Sequence, residues 1–150
     1  MTSGYSGTPL PAKLGIKEGH RVGLVGAPSG FEATLGALPS GVAMRKRLRG
    51  PLDVLVYFTK EAADLASKVQ RLGAAIEVDG AVWVAWPKRA SKVPSDITED
   101  VVRDLAVPLG LVDNKVAALD ETWSGLRLVW RRELRVALKA KRAGAGNESR

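Results

Sequence analysis

The sequence predicts a single α/β domain in which helices cover both faces of a mostly parallel sheet that ends in a C-terminal antiparallel hairpin. Three observations lead to this prediction. Residues 53–58 and 81–86 are almost entirely apolar, as strands are when both faces of a sheet are covered. Stretches with the apolar spacing of helices alternate with these strands. The last two strands, near residues 116–119 and 126–130, are joined by a six-residue link that suits a hairpin.

The first half of the chain begins with a predicted strand at residues 21–26, followed by a turn. A helix then places Phe31, Leu35 and Leu38 on one apolar face. Residues 42–48 follow as a short strand with many charges, which is typical of the edge of a sheet. This part of the chain therefore supplies two strands and one helix to the predicted fold.

The clearest helical pattern covers residues 60–72. Asp64 and Lys68 are spaced for an i,i+4 ion pair, and Gly73 is placed to end the helix. A third helix is predicted from residue 99 to residue 106, with Thr98 as its N-cap.

The order of elements is that of a three-layer Rossmann-like sandwich. We assign residues 1–130 to this single domain, with residues 1–20 as an N-terminal arm. Residues 131–150 are low in apolar content after Leu138 and predict a basic, disordered tail. Within that tail, Leu134 and Leu138 have the spacing of a short basic amphipathic helix.

The composition excludes several kinds of chemistry. The 150 residues contain no cysteine, which removes disulfides, thiol catalysis and thiolate zinc sites. His20 is the single histidine and precedes the first strand, so we expect a solvated or capping ring and no metal site. No apolar run approaches the roughly 20 residues of a membrane-spanning helix. Since residues 1–12 also lack a secretion signal, we expect a cytoplasmic protein with no membrane partner.

The net charge of +7 is concentrated in two short segments. Residues 45–49 contain four basic side chains, and residues 131–150 contain seven against two acidic ones. Residues 50–130 are slightly acidic, with nine basic and twelve acidic side chains. A nucleic-acid-binding domain normally carries a broader basic patch on its folded body. Nucleic-acid binding through the tail is therefore an alternative that we do not favour.

The predicted fold suggests where a ligand would bind, because ligands of open α/β sheets lie outside the carboxyl ends of the strands. This edge gathers cations and hydroxyls that could hold a phosphate or a carboxylate through charge-assisted hydrogen bonds. Ordinary solvated loops would also carry such residues. The candidate ligand-binding residues are Ser29, Lys60, Lys88, Arg89, Ser91 and Lys92.

The first turn does not have the sequence of a nucleotide-binding loop. It matches neither G-x-G-x-x-G nor G-x-x-x-x-G-K-S/T, so we expect no bound cofactor. Ser29 and Glu32 instead have the spacing of a capping box, in which each side chain satisfies a free backbone amide.

Three stretches resemble a small bacterial family that is known only as the domain of unknown function 3052. They are GYSGTPL at residues 4–10, WVAWPK at residues 83–88, and GLVDNKVAALDETWSGLR at residues 110–127. The last of these is the most specific. The resemblance implies a compact cytoplasmic α/β protein and supplies neither an activity nor a catalytic residue.

The order of strands also resembles that of Rossmann-type methyltransferases, whose final strands form an antiparallel hairpin. The glycine-rich first turn of those enzymes reads Gly-Ala-Pro-Ser-Gly here, at residues 26–30. The acidic residue that holds a ribose after their second strand is replaced by Arg-Lys-Arg-Leu-Arg at residues 45–49.

Three functional hypotheses follow from these observations. The first is a non-catalytic Rossmann-like module that binds an anionic small molecule or a protein partner at the carboxyl edge. The second is a methyltransferase-like enzyme that uses S-adenosylmethionine. The third is binding of a nucleic acid or another acidic partner through the basic tail. Whether the chain is an enzyme is left open by the sequence.

Overall fold

The computed structural model describes residues 7–148, and their side chains up to residue 144. Residues 1–6 and 149–150 lie outside this described part. The first six residues include the start of the GYSGTPL stretch and half of the segment that lacks a secretion signal. The elements are α1 (Leu10–Leu14), β1 (Arg21–Val25), α2 (Phe31–Leu35), β2 (Ala43–Arg45), β3 (Leu52–Phe58), α3 (Ala62–Ala75), β4 (Ile76–Pro87), α4 (Glu99–Ala106), β5 (Leu111–Ala118), β6 (Trp123–Trp130) and α5 (Arg132–Glu148).

The strands form one six-stranded sheet in the order β2-β1-β3-β4-β6-β5. The pairs β1–β2, β1–β3 and β3–β4 are parallel, whereas β6 is antiparallel to both of its neighbours. This confirms the predicted Rossmann-like α/β fold, with a mostly parallel sheet and a C-terminal antiparallel hairpin. The strands β4, β5 and β6 are longer than the sequence patterns indicated.

Residues 54–58 of β3 and 81–86 of β4 are buried on both faces of the sheet, which explains their continuous apolar sequences. Along β3, Leu55 and Tyr57 belong to a core beneath α3 and α4, while Val56 and Phe58 belong to a second core beneath α1 and α2. Since neighbouring side chains of a strand point to opposite faces, a strand covered on both sides has no position for a solvated residue.

Residues 7–20, the described part of the N-terminal arm, belong to the folded domain. Leu10, Leu14 and Ile16 are buried in the second core, and the indole N–H of Trp83 donates a hydrogen bond to the Leu14 carbonyl at 3.1 Å. The arm therefore covers the middle of β4.

Gly73 does not end α3 as the sequence predicted, because the helix continues to Ala75. A Cβ atom at Gly73 would lie 2.9 Å from Cζ2 of Trp130, so the missing side chain makes room for this indole. The Trp130 N–H also donates to the Gly73 carbonyl at 3.3 Å. By contrast, the predicted N-cap is confirmed, since the Thr98 hydroxyl accepts from the Val101 amide at 3.2 Å.

The prediction of a disordered tail after residue 130 is wrong for the described residues, because they form α5. Leu134 and Leu138 pack against the first core on one face of this helix. The Arg142 guanidinium donates to the carbonyls of Ile76 at 2.8 Å and Gly73 at 3.3 Å, at the end of α3. The helix is thus held by apolar packing and by hydrogen bonds to carbonyls at the end of α3 and the start of β4.

Among the helices of residues 7–148, none is both long enough and apolar enough to cross a lipid bilayer.

Candidate functional site

The strand order creates a topological switch point between β1 and β3. The chain leaves β1 for β2 at one edge of the sheet and then returns past β1 to form β3 and β4. The two crossovers run in opposite directions from this point, so their loops part and leave a crevice at the carboxyl ends. The fold alone therefore selects this place as the first candidate for a ligand.

The crevice has a volume of about 440 Å³ and is lined by the first turn, the end of β3 and the start of α3. We call it the switch-point crevice. Gly26 is required beside it, because its φ is +75° and a Cβ there would lie 2.8 Å from the Phe58 carbonyl oxygen. Among the predicted ligand-binding residues, Lys60 lines this crevice.

Aromatic rings form the inner wall of the switch-point crevice. Phe58 makes edge contacts with Phe31, at a centroid distance of 4.9 Å, and with Trp123, at 5.2 Å. The Asp120 carboxylate fixes the loop before Trp123, since it accepts the amide N–H groups of Thr122 at 2.8 Å and Trp123 at 2.6 Å. The carboxylate of Asp120 therefore shapes a turn, and Trp123 is a site residue that the sequence did not identify.

A polar cluster ties the end of β3 to α3 beside the crevice. The Asp64 carboxylate accepts hydrogen bonds from Tyr57 at 2.6 Å, Thr59 at 2.7 Å and Lys68 at 2.8 Å. Partial burial alone would raise the pKa of Asp64, but the hydrogen bonds from Lys68, Tyr57 and Thr59 outweigh it and lower the pKa to about 2. Burial, and then the hydrogen bond to Asp64, raise the pKa of Tyr57. Because its pKa is so low, the Asp64 carboxylate is a weak base at neutral pH. Its role is to hold the side chains that donate hydrogen bonds to it in position.

The lowered pKa of Asp64 predicts a stability that depends on pH. Because the carboxylate is favoured in the folded state, its contribution is complete above the unfolded pKa near 3.8 and is lost as pH falls towards 2. We expect Asp64→Asn to lower the free energy of unfolding by about 1 kcal/mol at neutral pH. The same variant should also lose less stability in acid, because it lacks the carboxylate that is protonated there. Urea denaturation at a series of pH values measures it.

The exposed Asp104 on α4 provides the control for this measurement. Asp104→Asn should keep the acid-induced loss of the unmodified protein. An Asp64→Asn variant whose stability falls just as steeply between about pH 4 and pH 2 would contradict the assignment.

The predicted capping box at the first turn is wrong. The helix α2 has Gly30 as its N-cap, with φ +83°, and no side chain caps it. Glu32 instead lies 3.6 Å from the Lys46 ammonium in an exposed ion pair. Ser29 is exposed and lines a groove of about 520 Å³ between this turn and Lys46, next to the switch-point crevice.

Three of the predicted cations come together at the end of β4. Lys88, Arg89 and Lys92 line a cavity of about 570 Å³ with Trp86 and Ser124, which we call the β4 groove. None of the ion pairs among the described residues includes these three cations. Within the part of the chain that the structure describes, no carboxylate pairs with these cations.

The acidic residues of the β4 groove are engaged elsewhere. The Asp96 carboxylate accepts the amide N–H of Ala62 at 2.7 Å, and Glu99 pairs with Arg103 at 2.7 Å. Ser91 also serves the loop, because its hydroxyl donates to the Lys88 carbonyl at 2.6 Å and accepts from the Val93 amide at 3.2 Å.

Five of the six predicted residues are therefore divided among neighbouring cavities of one edge, and Ser91 is not a lining residue of these cavities. Ser29 lines the groove at the first turn, Lys60 lines the switch-point crevice, and Lys88, Arg89 and Lys92 line the β4 groove. No group of three or more acidic or histidine side chains that could hold a metal ion occurs within the described part of the chain.

Comparisons with known proteins give a fold and no family. No family model and no curated protein matches this sequence. Similar solved structures include Aeropyrum pernix fibrillarin in complex with natively bound S-adenosyl-L-methionine, with a TM-score of 0.52, 16% identity, and coverage of 84% of this chain and 70% of that chain. Another is the ribosomal protein L11 methylase from Lactobacillus delbrueckii subsp. bulgaricus, with a TM-score of 0.51, 14% identity, and coverage of 77% and 72%.

A third similar structure is a possible exported protein from Bordetella parapertussis, with a TM-score of 0.56, 13% identity, and coverage of 83% of this chain and 66% of that chain. At such low identities the similarity shows the fold alone. The chain has the Rossmann-like fold that is also found in methyltransferases.

Proposed function

We propose that this protein is a non-catalytic binding module that holds an anionic small molecule in the β4 groove. The observation that carries the proposal is the set of three cations, Lys88, Arg89 and Lys92, that share one cavity and have no acidic partner among the described residues. A phosphate or carboxylate group is the ligand chemistry that such a set recognises.

The chemistry of the groove supports a specific orientation of the ligand. Arg89 offers a planar fork that can bind two oxygens of one phosphate or carboxylate, while the two lysines act as point charges. Trp86 and Ser124 line the same cavity and provide an apolar surface and a hydroxyl. A ligand with an anionic group and an apolar part would use all of these features.

Methyl transfer from S-adenosylmethionine is the second candidate function, and it is supported by the strand order and by the names of the similar structures. The residues at the first turn do not suit this cofactor. Pro28 lacks an amide donor, and Arg45 and Lys46 stand at the end of β2, where a carboxylate would accept hydrogen bonds from a ribose. We therefore derive no methyl-transfer step for this chain.

Binding should depend on the cations of the β4 groove. We expect inorganic phosphate and citrate to bind saturably in calorimetric titrations, and Lys88→Glu to weaken binding at least tenfold, since it replaces an attraction by a repulsion. The Tm should stay within about 2 °C, because the Lys88 side chain has no ion pair to lose among the described residues. Native mass spectrometry of freshly purified protein would identify a retained ligand.

Arg71→Glu makes the same change of charge at an exposed position of α3 outside the groove, and this variant should bind both anions normally. The absence of saturable binding by either anion would refute the proposal. A saturable response to millimolar S-adenosylmethionine that Lys88→Glu leaves unchanged would instead favour the second candidate.

A further inference from the structure

A second polar cavity lies at the opposite, amino edge of the sheet. It has a volume of about 650 Å³ and forms where β1, β3 and β4 begin, next to the end of α1. We call it the amino-edge cavity. Its charged or titratable lining residues are Lys17, His20, Arg21, Asp53, Glu77, Asp79, Arg127 and Lys139.

All the carboxylates of the amino-edge cavity already have cationic partners. Arg21 pairs with Asp53 at 3.3 Å and with Glu77 at 2.8 Å, and its backbone amide donates to Asp53 at 2.7 Å. Lys139 of α5 pairs with Asp79 at 3.1 Å. These contacts leave no acidic lining residue for the remaining cations.

Among the described residues, Arg127 is the partly buried cation of this cavity that has no ion pair. Its side chain is partly buried, and its one hydrogen bond in the described structure goes to the neutral Oδ1 of Asn114, at 3.3 Å. Burial lowers the pKa of the Arg127 guanidinium, and no carboxylate offsets this effect. Since a guanidinium has five N–H donors in a planar fork, most of its hydrogen-bonding capacity is available to a ligand.

We propose that the amino-edge cavity is a binding site for a small carboxylate- or phosphate-bearing molecule, with Arg127 as the residue that binds its anionic group. The site lies at the opposite edge of the sheet from the β4 groove and does not depend on it. The paired carboxylates of the cavity limit the total negative charge that it can accept, which favours a monoanion over a polyphosphate.

His20 and Lys17 fit this assignment. The Nδ1 atom of His20 accepts the backbone N–H of Lys17 at 3.0 Å, so the neutral ring carries its proton on Nε2 and has a donor there. Lys17 is exposed and lines the cavity without an ion pair among the described residues. Both residues can supplement the guanidinium, and Arg127 remains the anchor because its fork binds two oxygens at once.

Titration with sodium phosphate and with sodium acetate at constant ionic strength tests the proposal. The amide signals of Gly15 and Gly80, which line the cavity, should shift saturably in two-dimensional NMR spectra. Arg127→Met keeps a long apolar side chain and removes the charge, so we expect at least tenfold weaker binding. Its Tm should be unchanged or higher, because an unpaired and partly buried charge is removed.

Arg71→Met at an exposed position of α3 makes the same change of net charge outside the cavity, and it should leave both titrations unchanged. Arg127→Lys should weaken binding several-fold, since it keeps the charge and loses the fork. Shifts that do not saturate, or that are equal in Arg127→Met, would overturn the proposal. Lys88→Glu separates the two sites, because it should weaken binding at the β4 groove and leave the signals of Gly15 and Gly80 responsive.

Discussion

Replacing Trp83 by alanine is expected to lower the free energy of unfolding by about 4 kcal/mol, the largest loss we predict. Trp83 lies in the middle of β4 and is 0% exposed. Its removal leaves a cavity beneath α1 and deprives the Leu14 carbonyl of the indole donor at 3.1 Å. Both the lost packing and the unpaired buried carbonyl favour the unfolded state. Urea denaturation followed by far-ultraviolet circular dichroism measures the change.

Trp83→Phe separates the two causes, and it remains measurable if the alanine variant fails to fold. Phenylalanine keeps most of the apolar contacts and removes the N–H donor, so we expect a loss of about 1–2 kcal/mol. The exposed Val116 on β5 provides a control, because truncating its side chain to alanine creates no cavity. A loss below about 2 kcal/mol in Trp83→Ala would mean that the N-terminal arm does not cover this indole.

The strands could be predicted because their signal is local. Apart from Asp53, the residues of 53–58 are apolar on whichever face they lie, so a buried parallel strand follows without knowledge of its neighbours. Gly73 shows the limit of this reasoning. Its sequence context is that of a helix end, but its role is set by Trp130, an indole that lies 57 residues away in the chain.

For the candidate site, the sequence predicted the edge of the sheet but not the separate cavities along it. The rule that ligands bind at the carboxyl ends of strands selected Lys88, Arg89 and Lys92, which line one cavity, and ligand binding there stays a prediction. It could not divide that edge into separate cavities, because the division depends on the loop before α4. There the Asp96 amide and the Ser95 hydroxyl donate to the Lys60 carbonyl, at 3.3 and 2.8 Å.

The polar cluster around Asp64 was only half visible in the sequence. Its i,i+4 spacing to Lys68 predicted the ion pair that the structure contains, at 2.8 Å. The approach of Tyr57 and Thr59 depends on how the end of β3 packs beneath α3, which residue spacing does not specify. The sequence did contain one indication of this cluster. Tyr57 and Thr59 are two residues apart at the end of a strand, so their hydroxyl groups are expected to face the same side of the sheet.

Truncating both leucines of α5 provides the second large effect. Leu134→Ala combined with Leu138→Ala should lower the free energy of unfolding by roughly 2–3 kcal/mol, because both partly buried side chains pack against the first core. A solvated tail would instead tolerate both changes with no loss of stability. Urea denaturation of the double variant distinguishes these outcomes.

Val136→Ala is the matched control, because this valine lies between the two leucines and is 79% exposed. It should change stability by less than about 0.5 kcal/mol. An equal effect of the control and the double variant would restore the interpretation of a solvated tail.

The packed helix also bears on nucleic-acid binding, since Lys139 and Arg142 contact their own chain. Binding of a nucleic acid through α5 would have to break these contacts or use the remaining basic side chains. We therefore expect the docked helix to bind a nucleic acid more weakly than the same segment would bind when it is not docked.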